Sequence, residues 1–208
     1  SVDREYLTDL KTKYPVKIDP NLNTIDYNIV VHDMQVFKGK DGKGTSETSA
    51  GYSGVSRVGW TDWGACRTLI KLNNFSFATY KISNSWQIES AYIELRDLMC
   101  QGGSISCGQF NGNYWTEKDT RTWNGLEAEN SSLSSPVSVT YGNGNSKRNL
   151  SDKDQWYNWN ITGIVKKWVI NSSLKEKGLQ LRTYTTFLED SSVYAEYMKT
   201  FSSMQGNA

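Results

Sequence analysis

The sequence predicts an all-β sandwich with one short helix, and three observations carry that expectation. Short runs of alternating or mixed apolar residues recur along the chain. Clusters of Gly, Asn and Ser separate them, and aromatic residues are dense on a polar background, with eight Trp and twelve Tyr at a mean hydropathy of −0.61. Alternation with period 2 is the pattern of a strand that buries one face and wets the other.

Each element follows from its own residues. Ile29-Val-Val-His-Asp-Met-Gln-Val-Phe37 opens the series as a strand. Arg67-Thr-Leu-Ile-Lys-Leu72 is the next. Ser90-Ala-Tyr-Ile-Glu-Leu-Arg96 sets Ala91, Ile93 and Leu95 on one face and Tyr92, Glu94 and Arg96 on the other. The same logic reads strands at Val137, Val139 and Tyr141, at Leu179 and Leu181, and at Val193, Ala195 and Tyr197. Half-buried strands in this series argue for two packed sheets. The exception is Asn160-Ile-Thr-Gly-Ile-Val-Lys-Lys-Trp-Val-Ile170. There Ile164, Val165, Trp168 and Val169 share a helical face, Thr162 or Asn160 caps the start, and Asn171-Ser-Ser closes the run. This predicts a helix of about 162–171 whose Trp168 plugs the sandwich and whose Lys166 and Lys167 face solvent.

Composition narrows the function classes. The 208 residues suffice for one domain. A net charge of +1 offers no global attraction to nucleic acid or to an anionic membrane, and no apolar run reaches the roughly 18 residues of a membrane span. No nucleic-acid partner and no membrane insertion are therefore expected. One His and three Cys cannot build a two-Cys/two-His or four-Cys zinc site, and a Ser-His-Asp triad would rest on His32 alone. His32 is read as a surface or half-buried strand residue. Residues 1–14 lack a signal-peptide pattern, so the chain reads as a mature piece whose export signal lies elsewhere. Cys66 is read as core. Cys100 and Cys107 flank a turn-like Gln101-Gly-Gly-Ser-Ile-Ser106, where a cross-strand disulfide is conceivable beside the alternative of small buried thiols.

Five segments in order resemble the DNRLRE domain: Arg67-Thr-Leu-Ile-Lys-Leu72; Ile88-Glu-Ser-Ala-Tyr-Ile-Glu-Leu95; Tyr114-Trp-Thr-Glu117 with Thr120-Arg-Thr-Trp-Asn124; Trp159-Asn-Ile-Thr-Gly-Ile-Val-Lys-Lys-Trp168; and Lys177-Gly-Leu-Gln-Leu181. The resemblance implies a jelly-roll-like antiparallel sandwich related to carbohydrate-binding modules of large secreted bacterial proteins, including wall-associated Rhs or YD-repeat proteins. It spans about 25–208, leaving 1–24 as a linker or the end of a preceding domain. In the family a Pro-led last strand follows; here the chain stops at Ala208, so that strand is expected to be missing, with Tyr14 to Ile18 or a neighbouring molecule covering the edge it would leave.

Sugar-binding sites use flat aromatic side chains flanked by polar groups. Trp115, Trp123 and Trp168 are read as framework. Six aromatics outside the strong periodic patterns are the ligand candidates, each weighed against simple packing: Trp60, Trp63, Tyr114, Tyr141, Trp156 and Tyr157. Trp159 joins the positions read as partly exposed, and Trp86 is left unassigned. No catalytic residue is assigned, although Glu117 with Asp119 and Glu189 with Asp190 are close in sequence. No cofactor is required; a structural Ca is compatible with loop carboxylates among Asp33, Asp41, Asp152 and Asp154. The expected function is a non-catalytic module that binds a polysaccharide or cell-wall glycan, extracellular or wall-associated, beside neighbouring domains of the same polypeptide. The alternatives are a structural spacer or stalk domain and, third, a glycoside-active enzyme.

Overall fold

The computed structural model describes residues 14–18, 30–39, 55–61, 64–73, 75–100, 104–116, 118–129, 134–140, 156–183 and 199–202. Among these residues ten strands carry the fold: β1 (Tyr14–Ile18), β2 (Val30–Phe37), β3 (Val55–Thr61), β4 (Gly64–Asn73), β5 (Ile88–Cys100), β6 (Ser104–Gln109), β7 (Ser134–Thr140), β8 (Trp156–Asn160), β9 (Leu179–Thr183) and β10 (Lys199–Ser202). Bonded neighbours run β1-β5-β10-β3-β4-β9-β6-β7, with β2 added on β4 and β8 on β5. Of the described pairings, β1 on β5 is parallel and the others are antiparallel. The protein is all-β with few short helices, as its alternating pattern predicts. Tyr14–Ile18 lies along β5, from Tyr14 opposite Ile88 to Ile18 opposite Ile93.

The main core gathers side chains from strands spread along this path. Ala91, Ile93 and Leu95 of β5 and Trp159 of β8 meet Ile70 and Leu72 of β4, Ile105 and Cys107 of β6, and Leu179 and Leu181 of β9. The outward set on β5, Tyr92, Glu94 and Arg96, is half-buried. β4 differs from the half-buried expectation, because its other face also carries a core. Ala65 and Leu69 join Met34, Val36, Phe110, Trp115, Trp123 and Leu126 in a second cluster. Period 2 still holds, but a chain segment covers the face that would otherwise be wet.

β3 closes one side of the sandwich. Residues 59–61 pair with β4 and residues 55–58 with β10. Where β3 leaves β4, its backbone groups need other partners, and interior side chains supply them. Gln35 accepts from Arg57 N at 3.1 Å and donates to Val55 O at 2.7 Å. Thr68 Oγ1 and Cys66 Sγ both donate to Arg57 O. Asp33, expected in or near a loop, instead lies inside β2, buried and accepting from Ser56 Oγ.

Among the described residues there are also three helices, against one expected, and a one-turn 3-10 segment at Ser85–Gln87: α1 (Trp123–Ala128), α2 (Thr162–Ile170) and α3 (Ser172–Lys177). α2 is the anticipated helix, with Ile164, Val165 and Trp168 buried. Its N-cap is Ile161, without a side-chain cap bond, and not Thr162 or Asn160; Asn160 Oδ1, one residue further out, accepts from both the backbone N–H and the hydroxyl of Thr162. Asn171 ends α2 as its C-cap, as expected, but a second helix follows directly. The Asn171 side chain accepts from Ser173 N and starts α3. No described helix is long and apolar enough to cross a membrane.

The cross-strand disulfide is not formed, because Cys107 is a free thiol. The described partners of β6 are β7 and β9, and those of β5 are β1, β8 and β10, so Cys100 and Cys107 are not on neighbouring strands. Cys107 is a free thiol buried in the main core, and burial pushes it far above its ordinary pKa. Cys66 is buried as expected.

Candidate functional site

The segment 110–129 runs from the end of β6 over the outer face of β4 and is fastened at several points. Phe110, Trp115, Trp123 and Leu126 supply its apolar underside. Below it, β4 presents two cations where a plain sandwich strand would present apolar or solvated residues. The Arg67 guanidinium lies 4.2 Å from the Trp123 ring and ion-pairs with Glu127. Lys71 Nζ lies 5.1 Å from the Trp115 ring and donates to the Trp115 carbonyl. These contacts combine cation–π attraction with satisfied donors, which is how buried Arg and half-buried Lys are tolerated. The Trp115 indole N–H reaches Lys177 O at 2.8 Å, tying the segment to the end of α3.

That anchoring turns Tyr114 outward. Tyr114 is 57% exposed while its neighbour Trp115 is 1% exposed. Its backbone is held from the far side of the segment: Arg121 Nη2 donates to Tyr114 O at 2.9 Å. Arg121 also ion-pairs with Glu129, whose Oε2 accepts from Asn113 N at 3.0 Å. Gly112 leaves room for these side chains, since a Cβ would come within 2.3 Å of the Phe110 ring and 2.7 Å of the Glu129 carboxylate and force them to shift. Two turns shape the remainder. Asp119 accepts from Thr116 N at 2.7 Å and from its hydroxyl at 2.9 Å, and Thr122 Oγ1 accepts from Gly125 N to cap α1.

Between these turns lies an open groove of about 380 Å³, lined by Asp119, Thr120, Arg121, Thr122, Gly125 and Glu129. Its walls are hydroxyls, carboxylates and a guanidinium, and Arg121 links it directly to the Tyr114 turn. An exposed aromatic on a fixed backbone next to convergent polar groups is chemically suited to a ligand with an apolar face and several hydroxyls.

Of the six sequence-predicted ligand residues, Tyr114 is in this site. Trp60 is in β3 opposite Ala65, and Trp156 and Tyr157 are in β8 opposite Arg96 and Leu95, as backbone positions whose side chains lie outside the described residues. Trp63 and Tyr141 also lie outside the described residues, as do Asp41, Glu117, Asp152, Asp154, Glu189 and Asp190. Trp115, Trp123 and Trp168 are buried, as read from the sequence. Trp159, read as partly exposed, is a correction: it is 1% exposed, with its indole N–H bonded to Ile105 O at 3.0 Å across the core. Trp86 is 53% exposed. Among the described residues no group of three or more His, Cys, Asp and Glu side chains gathers as a metal site. Arg121 and Glu129 were missed by sequence reasoning, which looked for ring-bearing platforms and not for the groups that hold one. No protein-family model matches this chain, and no curated protein matches it.

Proposed function

We propose that this chain is a non-catalytic carbohydrate-binding module of a large extracellular or wall-associated bacterial protein, with Tyr114 and the adjoining polar groove as its ligand surface. The observation that carries the reading is the exposed Tyr114 ring, whose backbone is fixed by Arg121 and whose neighbour Trp115 is buried. A tyrosine on a backbone fixed before binding loses less freedom when it meets a sugar face than one on an unanchored loop. The groove beside it offers donors and acceptors for hydroxyl groups. The ordered motifs that resemble the DNRLRE domain support the same class of ligand and the same setting.

A glycan array that includes peptidoglycan and plant and algal polysaccharides tests the proposal. Binding to at least one glycan class is expected, with Tyr114→Ala weakening it by about tenfold. Absence of binding across the whole array sinks the proposal in favour of the second reading, a structural spacer domain. That reading has its own supporting observation: Trp115, Trp123, Trp159 and Trp168 are all spent on the scaffold.

A further inference from the structure

α3 lies between two loops that each expose a tyrosine. Lys175 and Lys177 are two positions apart in a helix, so they project roughly 200° from one another, toward opposite flanks. On one flank, Lys175 Nζ donates to Phe75 O at 2.6 Å and lies 6.0 Å from the Phe75 ring. Phe75 stacks on Tyr80, with centroids 5.4 Å apart and planes at 24°. Tyr80 is 37% exposed, so Phe75 backs one part of its surface while another part is open. On the other flank, Lys177 Nζ reaches Asn111 O at 3.4 Å, and the Lys177 carbonyl accepts from the Trp115 indole next to exposed Tyr114. Between the two flanks, Ser172 is exposed and the Glu176 side chain, ion-paired with Lys175, is 47% exposed.

We propose that the ligand is an extended glycan chain lying across α3, with Tyr80 and Tyr114 as two separate platforms. This rests on the glycan-binding reading above and sharpens it. A helix with its side chains is about 10 Å across, wider than one pyranose ring, so a terminal monosaccharide touches one tyrosine and a chain touches both. Phe75 stacks on the Tyr80 ring, and the Arg121 bond fixes the backbone from which Tyr114 projects. The polar side chains of α3 then face the hydroxyls of the intervening sugars. Two platforms joined by one ligand act as linked sites, so affinity rises steeply with chain length until both are engaged.

Affinity electrophoresis tests this, using gels that contain xylan, barley β-glucan, glucomannan, laminarin or solubilised peptidoglycan. The wild type is run beside Tyr80→Ala, Tyr114→Ala, Tyr80→Phe and Tyr114→Phe, with di- to hexasaccharides of the retarding polymer as competitors. The expected result is retardation in at least one gel, weakened about tenfold by either Ala variant and kept by both Phe variants, which retain the ring. Hexasaccharides should compete well and disaccharides poorly. Loss with Tyr114→Ala but not with Tyr80→Ala, or equal competition by short and long oligosaccharides, overturns the two-platform inference and leaves the binding function standing. Retardation unaffected by either Ala variant overturns the inference and also the placement of the binding surface at Tyr114. No retardation in any gel overturns both the inference and the glycan-binding reading.

Discussion

Gln109 shows how one buried polar residue can organise several elements. It is 3% exposed, yet its carboxamide is fully engaged. Oε1 accepts from the Trp168 indole, and Nε2 lies within 2.9 Å of the carbonyls of Phe110, Leu174 and Gly178. The residue therefore joins α2, the end of α3 and the start of the 110–129 segment. Gln109→Leu has similar volume but leaves the Trp168 indole N–H and the Phe110 carbonyl without the Gln109 carboxamide, at about 1–3 kcal/mol for each group left unsatisfied, while the Leu174 and Gly178 carbonyls keep backbone donors. The expected outcome is a loss of about 3 kcal/mol or more, read as a lower urea midpoint at unchanged m-value. Period-2 reading passes over this residue, because a polar side chain in a strand is ordinarily assigned to the wet face. Asp33 and Gln35 were passed over for the same reason.

At the scale of elements, α2 was legible and α1 and α3 were not. α2 has an apolar stripe of helical period, written in adjacent residues. α3 is a polar six-residue run, Ser-Ser-Leu-Lys-Glu-Lys, too short to be stable alone. Its position comes from contacts distant in sequence: Lys175 to Phe75 and Lys177 to Trp115 and Asn111. It ends at Gly178, which has φ 79° and ψ −154°, and a Cβ there would come within 2.3 Å of Ile70 O. Gly178→Ala therefore meets both a backbone conformation that disfavours L side chains and a collision with β4. We expect a destabilisation of about 2 kcal/mol or more, measured by thermal unfolding. In the proposed two-platform site the same change should also weaken binding, because it displaces the helix between the tyrosines.

Taken as one molecule, the fold is most tightly held at β4. That strand pairs with β2, β3 and β9 and carries a core on each face. β1 and β7 stand at the two ends of the strand path, each with one described neighbour. Each contains a proline, Pro15 and Pro136, which has no N–H to offer an incoming strand. Native-state hydrogen exchange should accordingly find the slowest amides in β4 and the fastest strand amides in β1 and β7. Faster exchange in β4 than in β7 would refute this ranking.

The all-β class, α2 and the burial of Trp115, Trp123 and Trp168 were determined by the sequence by itself, because strand alternation, helical period and aromatic hydrophobicity act between near neighbours. Tertiary structure alone decided that Trp159 is core, that Cys100 and Cys107 lie on strands that do not pair, and that β4 is covered on both faces. It also decided the candidate site. Tyr114 reads in the sequence as one aromatic among six, and its presentation depends on Arg121, Glu129, Lys71 and Lys177. Those partners are brought to it by strand pairing and chain crossing, which no local pattern of residues encodes.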